Sequence, residues 1–154
     1  MASEQTGDIL VIGYGNELRG DDGAGPAVAR SIEALNLPGL RVRTCHQLTP
    51  ELAEDISTAH AVIFIDARKV SKGSRVETIE VKPAMHGVIS AHRSDPAALA
   101  GLAQSLFGRC PTAWLVTVPA VDFDFGERLS PLAQQGVAEA VLKVQQLCHS
   151  LCHA

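Results

Sequence analysis

Two adjacent carboxylates, Asp21 and Asp22, close a glycine-rich stretch that runs Gly13-Tyr14-Gly15-Asn16-Glu17-Leu18-Arg19-Gly20-Asp21-Asp22-Gly23. A third, Asp66, follows the apolar run Ala61-Val62-Ile63-Phe64-Ile65. A carboxylate at the end of such a run must be paired, solvated in a cleft or bound to a cation, because desolvating a lone charge is costly. His92 stands in the aperiodic stretch 82–94, which is long for a loop inside a compact domain and so is a candidate functional segment. Two carboxylates and a neutral imidazole form a mixed oxygen and nitrogen donor set. Such a set suits nickel, zinc, iron or manganese and leaves a position open for substrate or water. The ordinary readings are helix capping for the aspartate pair, a structural hydrogen bond for Asp66 and a solvent-facing ring for His92. Capping explains one of the paired aspartates better than both.

These residues need elements to bring them together. Ile9–Ile12 is a β-branched run that ends at Gly13 and predicts a buried strand. Pro26 suits the start of a helix, with Val28, Ser31, Ile32 and Leu35 at helical spacing and Asn36, Pro38 and Gly39 as its stop. Leu40–Cys45 alternates as a second strand, and Thr49-Pro50-Glu51 predicts a capped short helix. Residues 61–65 form a third strand, apolar throughout as in parallel sheets covered on both faces. Residues 74–81 mix charge with Val76, Ile79 and Val81, as expected of an exposed strand near an edge. Asp95-Pro96 predicts a cap and first turn for a helix through Leu106, with Leu99, Leu102, Ala103 and Leu106 inward. Residues 113–119 form a fifth strand. From Ser130-Pro131 a terminal helix carries a stripe of Val137, Ala140, Val141, Val144, Leu147, Cys148 and Leu151. This order predicts an α/β three-layer sandwich: a mostly parallel, twisted five-stranded sheet, one strand antiparallel, with helices on both faces. The chain reads as one domain over 1–154, with 1–7 a disordered tail. Ligands in such sheets bind beyond the carboxyl ends of the strands, at the switch point. Asp22 and Asp66 flank that point if the first and third strands are neighbours.

Composition narrows the classes. The chain has 154 residues, 46% hydrophobic and 19% charged, with a formal charge of −4. No basic block is present, which argues against nucleic acid or an anionic membrane surface as partner. No run approaches the ~20 apolar residues of a membrane helix, and the first residues lack the pattern of a signal peptide. A cytoplasmic location follows, with Cys45, Cys110, Cys148 and Cys152 as reduced thiols. A dinucleotide reading of Gly13-x-Gly15 fails on detail: the third glycine position is Leu18, and no acid closes the second strand. Glu17 reads as a solvated loop charge, with an oxygen-ligand role as alternative. Cys148 and Cys152 could share an ion, although Cys148 lies on the apolar stripe. Asp122 and Asp124 follow the fifth strand and either shape a groove or make a turn.

Gly13-Tyr14-Gly15-Asn16, Leu18 and Asp21-Asp22-Gly23-x-Gly25 together resemble the signature of the nickel–iron hydrogenase maturation endopeptidases. Asp66 and His92, in Ser90-Ala91-His92, fall where that family has its other metal ligands. The resemblance spans roughly residues 8 to 145. It implies an endopeptidase that removes a C-terminal extension from the hydrogenase large-subunit precursor once nickel has been inserted. It also implies that Asp22, Asp66 and His92 bind nickel supplied by that precursor, with zinc or another divalent ion as the alternative in isolation. Asp22 and Asp66 are then the catalytic candidates, in an aspartic-type or metal-assisted hydrolysis. Asn16, His46 and Gln47 are the substrate-facing ones. His46-Gln47-Leu48-Thr49 stands where many members carry an Asp-Gly-rich motif. This variant, Trp114 and the segment 122–127 resemble the branch serving bidirectional, NAD-reducing hydrogenases. A monomer is expected. A non-enzymatic nickel chaperone or regulator on a flavodoxin-like scaffold is the competing function.

Overall fold

The computed structural model describes residues 8–70, 74–84 and 95–152. Five strands, β1 (Ile9–Tyr14), β2 (Leu40–Cys45), β3 (Ala61–Lys69), β4 (Glu77–Val81) and β5 (Thr112–Ala120), form one sheet in the order β2-β1-β3-β5-β4. β1, β2, β3 and β5 are parallel, and β4 runs antiparallel on the edge beside β5. Helices α1 (Ala24–Ala34), α2 (Leu52–Thr58), α3 (Pro96–Phe107) and α4 (Pro131–Cys152) cover the two faces. The predicted class and edge strand match, and the first and third strands are neighbours. Among the described residues no helix is long and apolar enough to cross a membrane.

Strand alternation splits the core in two. Ile9 and Val11 of β1 and Ile63 and Ile65 of β3 pack with Val28 and Ile32 of α1 and Ala140 and Val144 of α4. Leu10, Ile12 and Tyr14, with Val62 and Phe64, pack with Ala53 and Ile56 of α2 and Leu99 and Ala103 of α3. The first group carries the predicted stripe of α4. The second explains why the central strands are apolar on both faces.

Three local expectations differ from the structure. The 3-10 turn Gly20–Gly23 runs straight into α1, which therefore starts at Ala24, so Pro26 lies inside the first turn. Glu51 precedes α2 and no side chain caps that helix, so the Thr49-Pro50 cap is absent. Leu106 is exposed, whereas α3 meets the core through Pro96, Leu99, Ala100 and Ala103, with Leu102 partly buried against it. The Asp95 cap is as expected, its carboxylate accepting the Ala97 N–H at 3.0 Å.

Packing is close where α1 leaves the first loop. A Cβ on Gly25 would sit 2.5 Å from the Ile65 carbonyl oxygen and 2.6 Å from that of Tyr14. Only glycine lets α1 sit this close to the ends of β1 and β3, because both obstacles are backbone atoms and cannot rotate away. Gly25→Ala should therefore destabilise the protein by about 3 kcal/mol, read as a lower urea midpoint at unchanged slope.

Candidate active site

The ladder between β1 and β3 ends at the Gly13–Ile65 pair. One residue further on, the strands part. Tyr14 stays with β2, opposite Cys45, while Asp66 stays with β5, opposite Thr117. β1's crossovers lead to neighbours on its two sides, so this gap is the switch point of the sheet, where a cleft opens for geometric reasons. Asp66 was expected as the last residue of its strand. Instead β3 continues to Lys69, held by pairing with β5 through Ala120. Asp66 thus sits on a rigid strand, with its side chain on the Tyr14 face of the sheet.

The Tyr14 phenol donates to the Asp66 carboxyl, which also accepts from the backbone N–H of Ala67. Burial nonetheless dominates and pushes the Asp66 carboxyl up to about 7, with the negative charge of nearby Asp22 adding to it. Burial, with the charge and hydrogen bond of Asp66, pushes the Tyr14 phenol far above its ordinary range, so it remains a donor. The charge of Asp95, at the start of α3, also reaches Tyr14.

Asp22 arrives from the other side of the gap. Gly15 adopts φ +145°, and a Cβ there would collide with the Asp22 carbonyl oxygen. This glycine lets the loop fold over the 3-10 turn, so that the Asn16 N–H reaches the Asp22 carboxylate at 2.7 Å. The Asn16 side chain closes the turn by accepting the Leu18 N–H at 2.9 Å. The Gly15 N–H donates to the Cys45 carbonyl at 3.0 Å and ties this loop to the end of β2, where exposed His46 and Gln47 follow.

The adjacent aspartates have separate tasks, and neither caps a helix. Asp21 is fully buried and reaches across to the segment after β5. It accepts the N–H groups of Val121 at 2.9 Å, Asp122 at 3.0 Å and Ser130 at 2.7 Å, and the Ser130 hydroxyl at 2.7 Å. Burial raises its pKa, but the bonds from Ser130, Val121 and Asp122 outweigh that and hold it below the usual carboxylate range. Backbone bonds Asp21–Asp122, Gly20–Gly126 and Gly126–Leu18 zip the two loops together.

Thr117 was not singled out in the sequence. It is 4% exposed, is the β5 partner of Asp66 on the same face, and its hydroxyl has no hydrogen-bond partner among the described residues. Leaving a buried hydroxyl unpaired costs roughly 1–3 kcal/mol. Tyr14 was within the quoted motif but had no role assigned. The alternation that puts Tyr14 and Asp66 on one face is readable only once the β1–β3 register is known.

His92 lies outside the described residues. Among the described residues no three His, Cys, Asp or Glu side chains converge to hold a metal ion. Asp22 lies near enough to Asp66 for its charge to add to the burial that lifts the Asp66 carboxyl. Glu17 does not join them. It forms a two-pronged, exposed ion pair with Arg30. Cys148 and Cys152 are free thiols, with Cys148 buried in the α1–α4 core.

No protein-family model and no curated protein matches the chain. Solved structures do. The hydrogenase maturating endopeptidase HybD from Escherichia coli aligns at TM-score 0.73 and 21% identity over 93% of each chain. The NiFe hydrogenase maturation protease HycI from Thermococcus kodakarensis aligns at 0.71 and 21% over 92% of each. A hydrogenase 2 maturation peptidase from a thaumarchaeon aligns at 0.68 and 22%, over 91% of this chain and 97% of the other. The chain thus has the fold of hydrogenase maturation endopeptidases, along nearly its whole length.

Two variants test the site's electrostatics. Asp21→Ala should cost roughly 4 kcal/mol in urea unfolding at neutral pH, since it strands several buried donors. Because the folded state lowers the Asp21 pKa, that deficit should shrink as acid protonates the wild-type carboxylate. Asp66 has the opposite sign. Its folded pKa of about 7 lies above the ordinary 3.8, so its stabilising contribution is complete below about pH 4 and is lost as pH rises through about 7. Asp66→Asn should gain stability relative to wild type across that window, on the order of 4 kcal/mol, and no more above it. Unfolding curves at pH 4, 6 and 8 give the difference, and a flat difference would refute the account.

Proposed function

We propose that this chain is an endopeptidase that removes the C-terminal extension of a nickel–iron hydrogenase large-subunit precursor after nickel insertion. The observation that carries the reading is the approach of Asp22 and Asp66 from opposite sides of the switch point, on a fold shared with hydrogenase maturation endopeptidases. In this reading the precursor's nickel is part of the substrate. Asp22, Asp66 and His92 complete its coordination, and the bridged ion fixes the scissile bond against the protease. A precursor without nickel offers no counter-charge to the two carboxylates and is left uncut.

The side chains divide the work. Asp66, held by Tyr14 and Ala67 and close to neutrality in its proton affinity, is suited to take a proton from an attacking water. Asp22 is pinned by the Asn16 N–H, so it supplies an oriented carboxylate. Asn16, His46 and Gln47 border the opening from the first loop and the end of β2 and face the substrate. The segment His46-Gln47-Leu48-Thr49 supports a client among bidirectional, NAD-reducing hydrogenases.

Incubation with nickel-loaded precursor should release the C-terminal peptide, visible as a mass loss, while metal-free precursor stays intact. Asp22→Ala and Asp66→Ala should each lower the rate by at least ~100-fold, His92→Ala should do likewise, and His46→Ala should raise KM. Nickel binding without any mass loss would support a chaperone instead. Processing that survives both aspartate substitutions would refute the assignment.

A further inference from the structure

Among the described residues, Phe125 is the most exposed large apolar side chain, at 88%, and Leu18 is also exposed. The two are distant in the chain but neighbours in space. Arg19 and Gly126 form a parallel bridge, with the Gly126 N–H donating to the Leu18 carbonyl at 2.7 Å and the Gly20 N–H to the Gly126 carbonyl at 2.8 Å. One position back in each segment, that register sets Leu18 opposite Phe125. A single exposed apolar side chain is ordinary, but this ring stands on a fixed backbone. Asp21 holds Val121, Asp122 and Ser130 on either side of it, and Gly126 is tied to the first loop. Covering a ring that is already held in place is opposed by little ordering entropy, which suits it to anchor a partner. The pair is also continuous with the site. The Leu18 N–H donates to the Asn16 side chain, and the Asn16 N–H donates to the Asp22 carboxylate.

We propose that Phe125, with Leu18 beside it, docks this chain onto the folded hydrogenase large-subunit precursor, the ring entering an apolar pocket of the precursor surface next to its C-terminal extension. This rests on the protease reading above, because that reading lays the precursor across Asp22, and whatever reaches Asp22 from this side passes the Leu18–Phe125 rim. A ring projecting from a fixed loop is a knob, and its complement is a pocket in a folded surface. An extended peptide is instead gripped in a groove or along a strand edge. Asp124 and Glu127 stand exposed on either side of the ring and disfavour an anionic lipid surface as the occupant. Phe125 touches no reacting atom. It binds substrate and transition state alike, so its contribution belongs to KM and not to kcat.

The test measures kcat and KM on nickel-loaded precursor, Tm and oligomeric state for wild type, Phe125→Ala and Leu106→Ala. Leu106 is the control: it is exposed, but α3 begins near Tyr14 and Leu106 lies roughly 15 Å further along that helix. Phe125→Ala should raise KM ~10- to 100-fold with kcat within about twofold and Tm unchanged, as expected for a side chain with so little contact to its own chain. Leu106→Ala should match wild type throughout. A Phe125→Ala protein with wild-type KM overturns the proposal, and so does one that loses kcat at unchanged KM. A Tm well below wild type overturns it too, since the ring would then be packed within this chain. Leu106→Ala raising KM as much would reduce the effect to general stickiness, and a wild-type dimer that dissociates in Phe125→Ala would give the patch to a second copy; either overturns it. In each of these cases wild-type cleavage leaves the protease assignment standing. A wild-type chain that releases no peptide overturns the assignment and the docking role together.

Discussion

The fold of the active edge depends on one buried charge. Asp21 has no partner within its own loop, and its four hydrogen bonds all go to residues 121–130, about a hundred positions away. Such a bond set ties the start of α1 to the segment between β5 and α4, so that both loops become walls of one cleft. It also explains the polarity of the pair. Because Asp21 is consumed by backbone donors, its neighbour can remain half-exposed and face the opening. Two identical residues in sequence become a buried rivet and a half-exposed carboxylate through nothing more than which way the 3-10 turn rotates them.

Sheet topology supplies the second half of the site. Parallel strands that cross over in opposite directions cannot stay paired to their ends, and β1 and β3 separate one residue short of Tyr14 and Asp66. The gap leaves Asp66 partly exposed, while the continued β3–β5 ladder keeps its backbone rigid. A carboxylate on a strand interior is better fixed than one on a loop tip, which matters for chemistry sensitive to displacements of an ångström or less.

Much of this architecture was legible in the sequence because hydrophobic periodicity records burial directly. The apolar runs at 9–12 and 61–65 and the stripe on α4 mark surfaces that meet the core, the charged strand marks an exposed edge, and the structure uses them so. What failed was local punctuation. β3 runs past Asp66 through Ala67, Arg68 and Lys69 because β5 offers it partners, a tertiary fact that overrides the polar composition. In the same way Thr49-Pro50 looks like a cap, yet α2 takes its start from its packing. In the candidate site, Asp22 and Asp66 could be named from their positions after strands. The division between Asp21 and Asp22 could not, since the donors that distinguish them lie at 121, 122 and 130. Tyr14 and Thr117 were invisible for a related reason: their significance is their register with Asp66, and register is a property of the assembled sheet.

The electrostatics of the pair bear on how such a protein would recognise its substrate. Burial lifts the Asp66 carboxyl to about 7, and the nearby charge of Asp22 adds a smaller repulsion to that desolvation. The free protein is therefore unfavourably arranged at this point, and the arrangement is retained at a cost that other interactions offset. A ligand carrying a positive centre removes the penalty and one without it does not, so affinity and cation content become linked through the site's own repulsion. Under the proposed reading this linkage is the selective step. A precursor already bearing its metal gains the relief of Asp22 and Asp66 in addition to its peptide contacts, whereas an empty precursor must bind against an uncompensated pair. Discrimination then comes from a defect built into the resting site, with Asp21 and the parting of β1 and β3 holding that defect in place.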